Sequence, residues 1–334
     1  MSFLTEHLDT IINADCMDVL KKLPDKCVDL VLTDPPYFGI VKDKWDNQWK
    51  DIYEFQTFVG LIGKELKRVL KDNGAIYWFG DDKTIAYCQI ELDKEFNLLN
   101  NIVWRKVNGM CAKGAKSVYR SYAPITERIL FYDKGEDKSG LTMLFNTPDL
   151  FASVKKYMRD EKNKVKQKMC FTTEKEFNEY INKITETSSV VSHHYFADSQ
   201  YSFPTFEIYK KLQTTGFFQR EYEDLRREYE DLRRTWNNLN TATDVLDFPI
   251  ISGQIIHPTQ KPLNLISYLL ERSSKEKNIV LDCFSGSGTT AIACHNLKRH
   301  FICIEKDPNY WAASMKRLED VRRQMTIFDV LGRN

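Results

Sequence analysis

The eight cysteines of this chain include no C-x-x-C pair, and Cys16, Cys283, Cys294 and Cys303 fall in apolar stretches. Reduced packing thiols are therefore expected, not disulfides or a metal–thiolate site. The pair His193-His194 has no cysteine or acid at ligand spacing, so no metal is expected there. No apolar run is long enough to cross a membrane, and the amino terminus carries no secretory signal, which points to a cytoplasmic protein. Charge of one sign is missing too. With 48 Lys and Arg against 47 Asp and Glu the formal net charge is +1, so a surface for a polyanion has to be local. No Gly-Lys-Ser/Thr follows the glycines near residue 286, which excludes a P-loop. What remains is ample: 334 residues, 42% of them hydrophobic, are enough for a large core and a separate module.

Within that chain the apolar run Val28-Asp29-Leu30-Val31-Leu32-Thr33 reads as a buried parallel strand, and it ends in Asp34-Pro35-Pro36-Tyr37. A carboxylate, two prolines and an aromatic at the carboxyl end of such a strand mark a candidate site. The chemistry they suit is activation of a nucleobase amine. That nitrogen is a poor nucleophile because its lone pair is delocalised into the ring, and acceptors that bind its N–H protons draw it towards a tetrahedral geometry. Asp34 can supply one acceptor and the Pro35 carbonyl another. Pro35 and Pro36 fix φ and carry no competing N–H. Tyr37 offers a flat face for a base extruded from a duplex. A strand that ends in a plain Pro-Pro turn is the rival reading.

Far downstream, Asn278-Ile279-Val280-Leu281-Asp282 reads as a second buried strand, followed by Cys283-Phe284-Ser285-Gly286-Ser287-Gly288-Thr289-Thr290 and the helical Ala291-Ile292-Ala293-Cys294. Gly286 and Gly288 allow a tight turn and a close approach to a ligand. The next strand, Phe301-Ile302-Cys303-Ile304, ends at Glu305, where an acid can accept hydrogen bonds from ribose hydroxyls. Asp282, Phe284, Ser285, Gly286, Ser287, Gly288, Thr289 and Glu305 thus outline a pocket for an adenosine-containing cofactor. Residues 286–291 also fit the G-x-G-x-x-A dinucleotide fingerprint, which makes a nicotinamide dehydrogenase the runner-up. Asp34-Pro35-Pro36-Tyr37 has no use in hydride transfer, whereas an amine methyltransferase uses both motifs.

At these residues, together with His257-Pro258-Thr259-Gln260-Lys261-Pro262, the chain resembles the beta class of amino-group DNA methyltransferases, over roughly residues 9–133 and 250–320. The order, catalytic motif first and cofactor motif last, assigns the class. The resemblance implies an α/β fold: a circularly permuted, Rossmann-like sheet of seven strands, with a mainly helical target recognition domain inserted at 134–250 between a catalytic half (1–133) and a cofactor half (251–334). It implies S-adenosylmethionine as cofactor, DNA as substrate, and direct transfer to N6 of a flipped adenine without a metal or covalent enzyme intermediate. In the family an aspartate first in the motif favours adenine and a serine favours cytosine, so Asp34 tilts the choice away from N4 of cytosine. RNA or protein-glutamine methylation, and a silent nucleic-acid-binding module, are the remaining alternatives. Within the 257–262 segment the resemblance places Thr259 or Lys261 near the cofactor carboxylate, with His257 beside them. A His-Glu pair often precedes the strand at Arg128 in the family; here it is Thr126-Glu127. A cognate restriction endonuclease and a second copy of the chain are further candidate partners.

The residues support the permutation independently. Thr10 to Asp15 reads as a strand, Cys16 to Leu23 as a short helix stopped by Pro24, and further strands are expected at 74–79, 101–105 and 128–132. With those at 28–33, 278–282 and 301–304 the count is seven. Asp15 resembles the family's contact to the cofactor adenine, with a helix N-cap as the equal rival. The stretch from Arg105 to Arg128 carries Lys106, Lys113, Lys116 and Arg120 as well, with Glu127 its only acid, and so suits a phosphate backbone. Tyr119 and Tyr122 interleave with these cations and can stack on a base or on the sheet. The run Lys155, Lys156, Arg159, Lys162, Lys164, Lys166 and Lys168 reads either as a backbone track or as the wet face of a helix. Finally, Glu221–Arg227 repeats perfectly as Glu228–Arg234, setting Tyr222, Leu225, Tyr229, Leu232 and Trp236 on one seam that packs either on its own domain or on a second protomer.

Overall fold

The computed structural model describes residues 3–39, 46, 48–107, 122, 124–134, 152–187, 193–197, 201–232, 234–237, 242–251, 253 and 255–331. The chain divides into two compact units, Met1–Gly140 with Thr235–Asn334, and Leu141–Arg234.

The first unit is built on one sheet of eight strands: β1 (Thr10–Asn13), β2 (Val28–Thr33), β3 (Leu70–Gly80), β4 (Asn97–Arg105), β5 (Thr126–Asp133), β6 (Val245–Asp247), β7 (Ile279–Asp282) and β8 (His300–Glu305). Their spatial order is β1-β8-β7-β2-β3-β5-β4-β6. β5 runs antiparallel to both its neighbours and every other pairing is parallel. The amino-terminal strand lies beside the last one, Thr10 to Asn13 against Ile302 to Glu305, so the cofactor half is assembled from both ends of the chain. That is the permuted arrangement.

Both faces of the sheet are covered, which is why its strands read as nearly continuous apolar runs. In β3 the period of two sends Ile76 and Trp78 into one core, with helix Ile52–Val69, and Ala75, Tyr77 and Phe79 into the other, with helix Leu263–Ser273. The seven expected strands are all present. The eighth, β6, is an addition: three residues of which only Leu246 is buried, too short for any periodicity to announce it. It pairs in parallel with β4.

The second unit has its own core, formed by helices Ala152–Lys168, Glu174–Thr185, Phe206–Gln213 and Tyr222–Leu232. That core takes up the heptad seam. Tyr222 and Leu225 are buried in it, and Tyr229 and Leu232, partly buried, pack against it, so these four seam residues pack on their own unit. Trp236, the fifth residue of the seam, lies beyond that helix and its ring meets Phe131 of the first unit's sheet at 5.7 Å. The basic run is likewise a helix face with partners. Lys156 pairs with Asp160, Lys164 with Glu161, and Lys162 and Lys166 both with Glu174; Lys155 lies over the Tyr201 ring and Lys168 over Phe217.

Candidate active site and cofactor cleft

Strand β2 stops at Thr33 because Pro35 and Pro36 have no N–H to continue the ladder. At that point Thr33 bridges to the neighbouring strand: its hydroxyl donates to Asp282 Oδ1 at 3.2 Å and accepts from the Cys283 N–H at 3.1 Å. The carboxyl ends of β2 and β7 are thereby locked together, and a cleft of about 490 Å³ opens beyond them. Such a cleft, outside the carboxyl ends of parallel strands, is where open α/β sheets bind ligands. Its lining includes Asp34, Pro35, Pro36 and Tyr37 on one side and Asp282, Phe284, Ser285, Gly286 and Glu305 on the other.

On the Asp34 side four charged groups and a phenol form one largely buried cluster. The Tyr37 hydroxyl donates to Asp34 Oδ1. Lys261, only 6% exposed, sends its ammonium to Asp34 Oδ2 at 2.6 Å and to the Tyr37 oxygen at 3.0 Å, and lies 3.4 Å from Glu127 Oε2. Glu127 in turn holds Lys106 at 2.6 Å through Oε1. Two carboxylates thus face two ammoniums. Burial pushes the Asp34 carboxyl above the usual carboxylate range, with Lys261 opposing and Glu127 adding to the rise. Burial also acts against the charged forms of Glu127 and Lys261, but here the neighbouring opposite charges prevail: Glu127 is held below its ordinary value, and Lys261 above its own. Burial, then the charges of Asp34 and Glu127, holds the Tyr37 phenol neutral, well above its usual value.

The backbone after the motif is fixed by Asp46, fully buried, whose Oδ1 accepts from the Tyr37 N–H at 2.6 Å and the Phe38 N–H at 3.0 Å. Neither Asp46 nor Glu127 was foreseen as a site residue. The sequence did hold one signal for Glu127, a single acid in a stretch of six cations. Lys261, expected with Thr259 as the alternative near the cofactor carboxylate, meets Asp34 here. The expected phosphate contacts Arg105 and Lys106 are engaged by acids: both ends of the Arg105 fork bind Asp247 of β6, and Lys106 binds Glu127. The Arg105 pair is exposed and contributes little to stability. Lys113, Lys116, Arg120 and Tyr119 lie outside the described residues. Tyr122 is fully exposed, so it does not pack on the sheet.

On the cofactor side the turn 285–288 is strained in the way glycine permits. Gly286 sits at φ 47°, and a Cβ there would meet the His257 ring at 3.3 Å. Its N–H donates to Glu305 Oε2 at 2.8 Å, while Oε1 accepts from the Asp307 N–H at 2.8 Å. Glu305 therefore stands at the lip of the turn with lone pairs left for a ribose. His257 is held between Gly286 and Tyr310, its ring centroid 4.4 Å from the tyrosine's, and its Nδ1 meets the Thr259 hydroxyl at 3.1 Å. Ser287 and Thr289 also line the cleft; their hydroxyls meet at 3.0 Å, and Arg317 donates to Thr289 Oγ1 at 3.1 Å. Gly288, at φ 71°, caps helix Thr289–Asn296. Asp15 is an N-cap, accepting from the Met17 N–H at 2.9 Å, and also pairs with Lys306 at 3.0 Å. The Ser285 hydroxyl is buried on the cleft wall with no partner. An orphaned donor, a turn without a side chain, a carboxylate at the lip and the aromatic wall of Phe58 and Phe284 (centroids 6.1 Å apart) together fit an adenosine-bearing ligand.

Asp282 anchors this wall, accepting from Thr290 Oγ1 at 2.6 Å and the Phe284 N–H at 3.1 Å. Burial pushes its carboxyl up to about 7 against an ordinary 3.8. A folded value above the ordinary one favours folding fully below 3.8, and that contribution is lost as pH rises through about 7. Asp282→Asn, which cannot ionise, is expected to flatten the fall in Tm between about pH 4 and about pH 7. Equal slopes for variant and parent would place that pH dependence on other groups.

A family model described as DNA methylase, for N6 and N4 methyltransferases, matches residues 28–316, and the chain belongs to that family. Among curated proteins it is similar to the type II methyltransferase M.HinfI of Haemophilus influenzae, 25% identical over 98% of this chain and 73% of the relative. It is also similar to the type II methyltransferase M.BglII of Bacillus subtilis, 25% identical over 92% of this chain and 68% of that one. Among solved structures the PvuII DNA methyltransferase (cytosine-N4-specific) shares the fold, with a TM-score of 0.53, 13% identity, and coverage of 94% of this chain and 93% of that chain. Among the described residues no helix is long and apolar enough to cross a membrane.

Proposed function

We propose that this protein is a site-specific DNA methyltransferase that modifies N6 of an adenine flipped out of the duplex, with S-adenosylmethionine as donor. The observation that carries the adenine reading is Asp34, an aspartate heading the motif at the mouth of the cleft, with one oxygen on Tyr37 and the other on Lys261. When bound, S-adenosylmethionine supplies a methyl group on a sulfonium, which an amine can take in a single displacement. Asp34 and the Pro35 carbonyl accept the N–H protons of that amine, align its lone pair and stabilise the positive charge that develops on nitrogen. Tyr37 and the prolines shape the wall against which the base rests. Ser285, Gly286, Glu305 and Phe284 hold the donor's adenosine. The unit at 141–234, with a core of its own, is assigned to reading the target sequence, within the interval 134–250 that the resemblance gives to recognition. Likeness to type II methyltransferases makes a cognate restriction endonuclease the natural functional partner.

The test is transfer from methyl-labelled donor to unmethylated bacterial genomic DNA, followed by digestion to nucleosides and mass analysis. Label in N6-methyladenine is expected. Label in N4-methylcytosine would move the assignment to the other amine of the same family chemistry.

A further inference from the structure

Both oxygens of Asp34 are already occupied by donors of the protein itself, Tyr37 O–H on Oδ1 and the Lys261 ammonium on Oδ2 at 2.6 Å. Tyr37 is 8% exposed and Lys261 6%, so neither contact is a surface accident. An ammonium on that carboxylate offers the N–H donors that a substrate amine would offer. It is also incompatible with the reaction: a fixed positive charge a few ångströms from a nitrogen that is becoming positive opposes the transition state. The ammonium therefore has to leave Asp34 when the base arrives, and a charge cannot leave a dry enclosure without a partner.

The partner is in place. Glu127 Oε2 lies 3.4 Å from the same Lys261 nitrogen, and its other oxygen is pinned by Lys106 at 2.6 Å. The Lys106 ammonium itself lies 5.4 Å from the centre of the Trp104 ring, and Trp104 Nε1 is anchored on the Phe248 carbonyl at 2.9 Å. The Lys261 ammonium is further bounded by the Tyr37 and Phe79 rings, 5.3 and 5.4 Å away, and by the Thr259 carbonyl at 3.4 Å, so a short shift towards Glu127 is its one charged alternative among the described groups.

We propose that Lys261 is a place-holder for the target amine: it satisfies Asp34 in the free enzyme and passes to Glu127 when the flipped base takes its seat. This rests on the reading of Asp34 as the acceptor for a substrate amine. Glu127 is then a positioning residue, acting on the reaction through Lys261. No bond is made or broken in the exchange; one hydrogen-bonded ion pair replaces another, and the base inherits a carboxylate that is desolvated and correctly aimed.

The exchange predicts a coupling that a donor-binding lysine or a purely structural glutamate would not give. With the full chain, unmethylated bacterial genomic DNA and labelled donor, Glu127→Gln is expected to raise KM for DNA on the order of 10-fold, because Lys261 has lost its second seat. Donor affinity by calorimetry should be unchanged. The double variant Glu127→Gln/Lys261→Met should return KM towards the parent, since no ammonium remains to be displaced; the two effects are non-additive in sign. If Lys261→Met instead weakens donor binding and the double variant shows both defects added, Lys261 is a donor ligand and the proposal fails. An unchanged KM in Glu127→Gln also overturns it. Should Glu127→Gln not fold, Glu127→Asp, which withdraws the carboxylate by one methylene, is expected to raise KM in the same direction but less. Absence of any transfer to DNA by the parent protein would overturn the functional reading itself, and the exchange with it.

Discussion

Asp34→Asn is expected to lower methyl transfer to DNA by about 10³-fold, the loss typical when a preorganised polar group is removed from developing charge, and to leave donor affinity close to the parent's. The asparagine keeps the volume and can still accept from Tyr37, but it offers one acceptor oxygen where the carboxylate offers two, carries no negative charge for the developing cation, and would turn its NH₂ on Lys261. The adenosine site proposed above stands on other strands, β7 and β8, with Gly286 and Glu305 tied to each other at 2.8 Å. Single-turnover rates with saturating donor, alongside calorimetry, separate the two quantities. Because Lys261 loses a buried partner, thermal unfolding of the variant has to be followed as well; a cost of about 3–5 kcal/mol is ordinary when one half of a buried pair is removed. Equal loss of turnover and donor binding, with Tm intact, would make Asp34 part of the cofactor wall.

Gly286→Ala is expected to do the opposite. At φ 47° an alanine is strained by roughly 1–2 kcal/mol, and its Cβ would sit 3.3 Å from the His257 ring, which has Tyr310 behind it. The turn would relax by moving its N–H off Glu305, and the adenosine site would lose both its close backbone approach and its carboxylate placement. Donor affinity should fall on the order of 10-fold or more, each tenfold being about 1.4 kcal/mol. Turnover at saturating donor should be far less affected than in Asp34→Asn. An unchanged donor affinity would mean that the ligand does not approach this turn.

Much of this was legible because it is local. An apolar run of four to six residues, broken by prolines at 35–36 or by a glycine turn at 286–288, announces a buried strand and the site at its end with no knowledge of the partner strand. The permuted order followed from which motif came first, and β1 lies on β8 accordingly. What could not be read was the identity of partners far apart in the chain. Lys261 meets Asp34 across 227 positions, and nothing in His257-Pro258-Thr259-Gln260-Lys261 says that its ammonium turns to the Asp34 carboxylate. Glu127 enters the site only because the antiparallel strand β5 lies between β3 and β4. Arg105 and Lys106 read as cations for phosphate, and nothing in the sequence says that Asp247 and Glu127 stand against them in the fold. Ser287 and Thr289, expected to hold the cofactor from their place in the glycine turn, line the cleft, but that Arg317 of the helix Pro308–Leu331 engages Thr289 there could not be read from the sequence. The heptad seam allowed two readings, and residues 222, 225, 229 and 232 of it pack in or against the core of the second unit.

The most direct test is carried out in cells. DNA from a methylation-deficient bacterial host expressing either the parent chain or Asp34→Asn is sequenced as single molecules and its nucleosides are analysed by mass. The account predicts N6-methyladenine at one short sequence motif with the parent chain and none with the variant. The same modified base in both strains, or none in either, would contradict it.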